Sequence, residues 1–445
     1  MSATAPRLVR VLQPYAAMAL SGPTRERLSA RVHDLARRVR ARPHTLDVFV
    51  ALDDPYSYLL AQALPALRRR FDVEVSWHPI GAPAGDDSPE REHQRRYACV
   101  DAGRLAELYQ LDFPEQPTPL TGAHAALATR ALAAAVAERA PAEYIVELCG
   151  AYWRGDPRAL GAVAERLPAL APAEADAVLT KGRRALERRG HYAPGTIHYG
   201  GAWYWGVDRL DHLERHLIAA GAARSADVGV EFDRQVRGFA GGPAGSAAPD
   251  QPIVLYLSVR SPYSYIALER TSALAAHYGA ALDLRPVLPM VMRGLAVPVA
   301  KKFYILRDAA REARKLGIPL GRVCDPVGRG TERIYALCDH AAAHGKHADF
   351  LRSAARGVWA EGIDAATDAG LSRLVERAGL SWAEARRHLD DESWREWAER
   401  HRQELYALGL WGVPCLRYHD TAVWGQDRLW VIEREIRARA AESPG

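Results

Sequence analysis

A few short stretches of this 445-residue chain carry side chains whose type and setting could do chemistry. Ser261-Pro262 stands where an apolar, β-prone run (residues 254–257) gives way to a helical one. A helix N-terminus offers unpaired N–H groups and a partial positive charge, which suit a bound anion or thiolate. The same Ser, followed by Pro, is also the usual helix cap, so capping alone would account for it. Gly412-Val413-Pro414 opens a later strand. Proline has no N–H, so such a turn can leave neighbouring backbone groups open to an extended peptide, or can simply start an edge strand. Gln426-Asp427 precede the last helix, where an Asp is first of all a cap. Lys301 can be a partner for an anion or an ordinary solvated helix residue. Tyr304 and Trp359 can wall an aromatic pocket or fill the core. Cys415 follows Pro414 with no neighbouring base and reads as a buried strand residue.

Helices and strands must hold these groups. Residues 254–257 form a short buried strand that ends at Ser261, and a helix follows from Tyr263 to Tyr278, closed by Gly279. Residues 281–287 read as a second strand. From Val299 to about Arg400 the apolar residues recur at helical spacing with no convincing strand. Residues 413–418 and 421–424 then bracket His419-Asp420 as a hairpin, and Asp427 opens the terminal helix to about Ala440.

The pattern occurs twice. Residues 46–58 read nearly like 253–265, with Pro55 on Pro262 and Tyr58 on Tyr265. Trp77-His-Pro-Ile80 falls on Leu284-Arg-Pro-Val287, Tyr97 and Asp101 on Tyr304 and Asp308, and Trp205 to Leu210 on Trp424 to Leu429. Collinear matches over such a span indicate a duplicated domain of a period too long for a solenoid. The expected division is a helical N-terminal extension (1–44), a first copy (45–235), a small-residue linker (236–251) and a second copy (252–445).

Composition narrows the class. With 48% hydrophobic and 25% charged residues, this is an ordinary globular chain, not a disordered or disulfide-rich one. The net charge is +5, from 59 Lys+Arg against 54 Asp+Glu, and the two signs are interleaved. No basic stripe for nucleic acid is expected. Five Cys with no C-x-x-C pair exclude metal-finger spacing, so no metal is expected, and exclude a redox dithiol. No apolar run is long enough to span a membrane, and a cytoplasmic location is the expectation.

The second copy resembles the DsbA-like branch of the thioredoxin superfamily, and within it 2-hydroxychromene-2-carboxylate isomerase and the kappa-class glutathione transferases. The resemblance rests on Ser261-Pro-Tyr-Ser-Tyr265, Ala300-Lys301, Tyr304, Asp308, Trp359-Ala-Glu-Gly-Ile-Asp364, Gly412-Val-Pro414 and Gly425-Gln-Asp-Arg-Leu429. It implies an α/β fold of two tandem thioredoxin-like domains, each with a helical insertion, and glutathione as cofactor. Ser261 would donate its hydroxyl to the glutathione sulfur, Val413 and a cis Pro414 would hold the tripeptide, and Gln426 and Asp427 would meet its γ-glutamyl amine. Lys301 would face a carboxylate, and Tyr304 and Trp359 a small aromatic substrate. The chain departs from the family at Arg293 to Pro298, where a Gly-Asn pair is usual. The first copy departs further, with Asp54 at the Ser position, Gln94 at the Lys position and a proline turn at Tyr192 to Gly195.

These features together imply a glutathione-dependent isomerase acting on an aromatic keto acid. Glutathione transfer, peroxide reduction or DsbA-family redox chemistry without C-x-x-C are the alternatives on the same site, and a non-catalytic peptide-binding scaffold is the alternative of another class. An ionised Asp54 would repel a thiolate, so the first copy is expected to be a structural partner that mimics a homodimer within one chain.

Overall fold

A computed structural model describes residues 7–81, 90–139, 142–234, 239, 250–295 and 297–442. The chain divides into two compact units, Glu26–Gln235 and Val236–Gly445, the latter joined by Met1–Arg25. Most of the linker expected at 236–251 lies outside the described residues.

In the N-terminal unit the strands are β1 (His44–Val50), β2 (Val73–Pro79), β3 (Thr196–Tyr199) and β4 (Ala202–Trp205). They form one sheet in the order β2-β1-β3-β4, parallel between β1 and β2 and antiparallel elsewhere. The C-terminal unit holds β5 (Ile253–Leu257), β6 (Leu282–Pro286), β7 (Cys415–Tyr418) and β8 (Thr421–Trp424) in the equivalent order β6-β5-β7-β8. The central strand β5 is buried along its whole length, which explains its unbroken apolar sequence. The Pro262–Tyr278 helix makes the parallel crossover from β5 to β6 and ends in a left-handed Gly279. A helical block from Val299–Lys315 to Trp394–Ala407 separates β6 from β7, as the helical periodicity predicts. The last helix, Leu429–Glu442, is preceded by a single 3-10 turn at Gln426–Arg428. Leu255, Leu257, Tyr265, Leu268, Leu416, Val423 and Ile432 meet in one core under this sheet.

Equivalent hydrogen bonds recur in the two units. Ser57 Oγ accepts the Ala51 N–H at 3.1 Å, and Ser264 Oγ accepts that of Ser258 at 3.2 Å. Tyr56 donates to Asp101, and Tyr263 to Asp308. Each contact lies 207 positions from its counterpart, the offset of the sequence repeat.

The N-terminal extension divides. Its first helix, Arg7–Ser21, belongs with the C-terminal unit. Arg10 pairs with Asp364 at 3.3 Å, Gln13 Oε1 accepts the Asp325 N–H at 3.1 Å, and Arg314 donates to the Ser21 carbonyl at 3.0 Å. Ala17 enters the core, and Pro14 packs on Gly362, where a Cβ would sit 2.8 Å from the ring. No described helix is long and apolar enough to cross a membrane.

Candidate active site

Ser261 caps the Pro262–Tyr278 helix with extended backbone (φ −100°, ψ 120°) and stays partly exposed. Its Oγ accepts the Ser264 N–H at 3.1 Å. The hydroxyl donates to no described residue, so its proton is available to a ligand. The loop before it is pinned on both sides. Ser264 Oγ holds the Ser258 N–H, and the indole of Trp359 donates to the Val259 carbonyl at 2.9 Å. Capping therefore uses the acceptor capacity of the hydroxyl and leaves its donor capacity open.

The turn before β7 lies alongside. β5 and β7 pair Tyr256 with Cys415, so the Val413–Pro414 turn directly precedes the last paired position, at the end of β5 from which the Ser261 loop leaves. The Val413–Pro414 peptide bond is cis. Val413 is partly exposed, whereas Pro414 and Cys415 are buried. Trp411 and Trp424 pack edge to face at 5.3 Å beside Gly412, which has no room for a side chain. Lys301, in the first turn of the Val299–Lys315 helix, places Nζ 5.9 Å from the centre of the Trp411 ring. Lys301 and Val413 therefore flank one aromatic step at the turn. Cys415 donates to the Gly412 carbonyl at 3.0 Å, and burial pushes its thiol well above the usual value. It is a structural thiol, not a nucleophile.

Other expected ligand residues lie deeper. Gln426 is only 1% exposed, too buried to meet a peptide. Its side-chain and main-chain oxygens both accept Arg270 Nη1, at 2.7 and 2.6 Å, and its amide donates to Asp427. Gln426 thus holds Arg270 and the Asp427 carboxylate from a buried position. Asp427 itself is partly exposed. Arg270 is held below its usual pKa by burial, opposed by Asp427, Glu312 and Glu433. Trp359 is also buried, and its N–H is used on Val259, so it fixes the Ser261 loop in place of walling a pocket. Tyr304 is 6% exposed and belongs to the buried side of its helix.

Sequence reasoning missed Arg260 and Asp325. Arg260 immediately precedes Ser261, and its Nε and Nη2 reach the two Asp325 oxygens at 2.9 and 2.8 Å. Asp325 also accepts the Val327 N–H at 3.0 Å. An Arg directly before Ser261 was a visible signal, but its partner lies 65 positions away.

The N-terminal unit has the same frame around a different group. Asp54 caps the Pro55–Arg70 helix, and its Oδ2 accepts both the N–H and the hydroxyl of Ser57, at 2.9 and 2.6 Å. Burial raises its carboxyl to about 7. The turn before β3 closes on it. Gly206 N–H bonds the Gly195 carbonyl as Gly425 N–H bonds that of Pro414, so Gly195, not Pro194, occupies the position of the cis proline. At Gly195 (φ +66°) a Cβ would lie 2.6 Å from Asp54 Oδ2. The Gly195 backbone therefore lies directly against the carboxylate, and only a residue without a side chain fits there.

Residues 252–437 match the DSBA-like thioredoxin domain family, and the C-terminal unit therefore holds such a domain. The chain is 27% identical over 189 residues to 2-hydroxychromene-2-carboxylate isomerase of Pseudomonas putida, covering 40% of this chain and 90% of that protein. It is 25% identical over 189 residues to the Sphingobium xenophagum isomerase of the same name, covering 41% and 95%. A solved structure of 2-hydroxychromene-2-carboxylate isomerase aligns at 25% identity and a TM-score of 0.38, over 44% of this chain and all of the other.

Proposed function

We propose that the C-terminal unit is a glutathione-dependent isomerase of aromatic keto acids, acting on substrates of the 2-hydroxychromene-2-carboxylate type. The observation that carries this reading is the Ser261 hydroxyl. It is partly exposed at a helix N-terminus, anchored as an acceptor by Ser264, and left with a proton to give. A thiolate is the ligand such a group stabilises best, because the helix end supplies positive potential and the O–H supplies a charge-assisted bond.

The surrounding residues fit a tripeptide thiol. Val413 is partly exposed in the turn before β7, where an extended peptide can be received in the manner of an edge strand. Asp427, oriented by Gln426, suits the γ-glutamyl amine. Lys301 supplies positive charge beside the same turn. When bound, the thiol supplies a sulfur nucleophile that adds to a conjugated carbon and later leaves, allowing rotation about a double bond. The residues of this chain hold the sulfur ionised, orient the peptide and balance the acid's charge. No buried cysteine of the unit replaces that thiol, because the thiols of Cys324 and Cys338 are also pushed far up by burial.

We read the N-terminal unit as a second thioredoxin-like domain from a duplication, with its equivalent site closed by Asp54 and Gly195. The chain as a whole is read as cytoplasmic, with the domain pair standing in for a homodimer. The test of the catalytic reading is isomerisation of 2-hydroxychromene-2-carboxylate with and without reduced glutathione. Turnover that needs glutathione and collapses in Ser261→Ala supports it. Turnover unchanged in Ser261→Ala defeats it.

A further inference from the structure

Arg260 immediately precedes Ser261, and its guanidinium is held in an ion pair with Asp325. It is not a freely moving surface arginine. Asp325 engages the Nε–Nη2 edge through two oxygens, a bidentate arrangement that fixes the plane of the guanidinium. Asp325 is held in turn, its Oδ1 by the Val327 N–H and its backbone N–H by Gln13 of the N-terminal helix. The Arg260 side chain remains 22% exposed, and Nη1, with two N–H groups, donates to no described residue. One edge is locked and the other is open, one residue from the hydroxyl that would hold a sulfur.

A cation meant only for structure would be expected to spend both edges or to face solvent far from the site. An open edge held in plane by a carboxylate is how a guanidinium is prepared to receive a second anion. Lys301 is less suited to this task, because its ammonium sits against the Trp411 ring beside the cis turn.

We propose that Arg260 is the residue of the Ser261 site that binds the carboxylate of an aromatic acid substrate, through Nη1, while Asp325 and Gln13 position it. This rests on the reading of the site given above and goes beyond it by naming the group that selects the acid. Asp325 and Gln13 act through Arg260, so the N-terminal helix, almost 250 positions away in sequence, supports substrate recognition in the C-terminal unit.

The probes are coumarin-3-carboxylate and its uncharged parent coumarin, titrated calorimetrically into the full chain with and without saturating reduced glutathione. The expected result is about tenfold or greater preference for the carboxylate, the size of a charge-assisted hydrogen-bond contribution. Arg260→Gln should erase that preference while leaving glutathione affinity within about twofold, a margin well below the tenfold effect. Arg260→Lys keeps the pair with Asp325 but has one ammonium and no second edge, so it should fold normally and still lose the preference. The proposal is overturned if the wild type binds both probes alike or neither. It is also overturned if Arg260→Lys keeps the full preference, or if Arg260→Gln weakens glutathione and spares the aromatic acid. A failure of glutathione binding in the wild type, with carboxylate selection intact, would strike the isomerase reading and not this one.

Discussion

Asp54 gives the sharpest quantitative test, because its role depends on no substrate. Its carboxyl is raised by burial from the usual 3.8 to about 7, against the two bonds from Ser57 that favour the ionised form. The folded N-terminal unit therefore holds a proton that the unfolded chain releases near pH 4. The stability contribution is full below that point, declines as pH rises towards about 7, and is lost above it. At ~1.36 kcal/mol per pH unit, the span corresponds to about 4 kcal/mol, an upper bound that relaxation of the site will reduce. Asp54→Asn keeps an acceptor for Ser57 and removes the titration. Denaturant unfolding of the full chain, followed through native-state exchange of the Ser57 amide, should show stability of the N-terminal unit falling between pH 4 and 7 in the wild type. The variant should lose that part of the slope, keeping only the smaller contributions of groups such as Glu214 and His44, and be more stable than the wild type at pH 8. An equal slope in both proteins would refute the assignment, as would a variant less stable than the wild type at pH 8.

Three further outcomes follow from the same geometry. Ser261→Asp should fold as well as the wild type, since Asp is an equally good cap, yet lose about tenfold or more of glutathione-dependent turnover at pH 7 through loss of the donated hydrogen bond. Thermal melts paired with the isomerase assay separate the two effects. Cys324, Cys338 and Cys415 should resist iodoacetamide at pH 8 until the chain is unfolded, as mass spectrometry of digests would show, because burial keeps all three thiols protonated. Gly195→Ala should destabilise the N-terminal unit by about 1–3 kcal/mol, from the left-handed backbone and the collision with Asp54, in chemical denaturation.

Local signals in the sequence carried most of the fold. An unbroken apolar run marked β5, Ser261-Pro262 and Gly279 marked the two ends of the following helix, and His419-Asp420 marked the β7–β8 turn. The repeat made the two sheets predictable together, since the strand segments recur in the same order in both copies. What escaped was nonlocal. The docking of Arg7–Ser21 on the C-terminal unit uses Asp325 and Asp364, more than 300 positions away, and no periodicity reports such a contact. The turn at Tyr192 to Gly195 was legible as a unit, and the fold shows that Gly195 takes the position of Pro414 within it. Gln426 and Trp359 have polar groups that could face a ligand, and only the fold shows those groups used on Arg270, Asp427 and Val259. Arg260 was legible as a residue type but not as a pair with Asp325.

The central claim is that one unit of this chain, and only one, is a working thiol site. Calorimetric titration with reduced glutathione tests it most directly, comparing the wild type with Asp427→Ala. Saturable binding at one site per chain, weakened in the variant, is the expected result. No binding at millimolar glutathione, or two equivalent sites per chain, would contradict it.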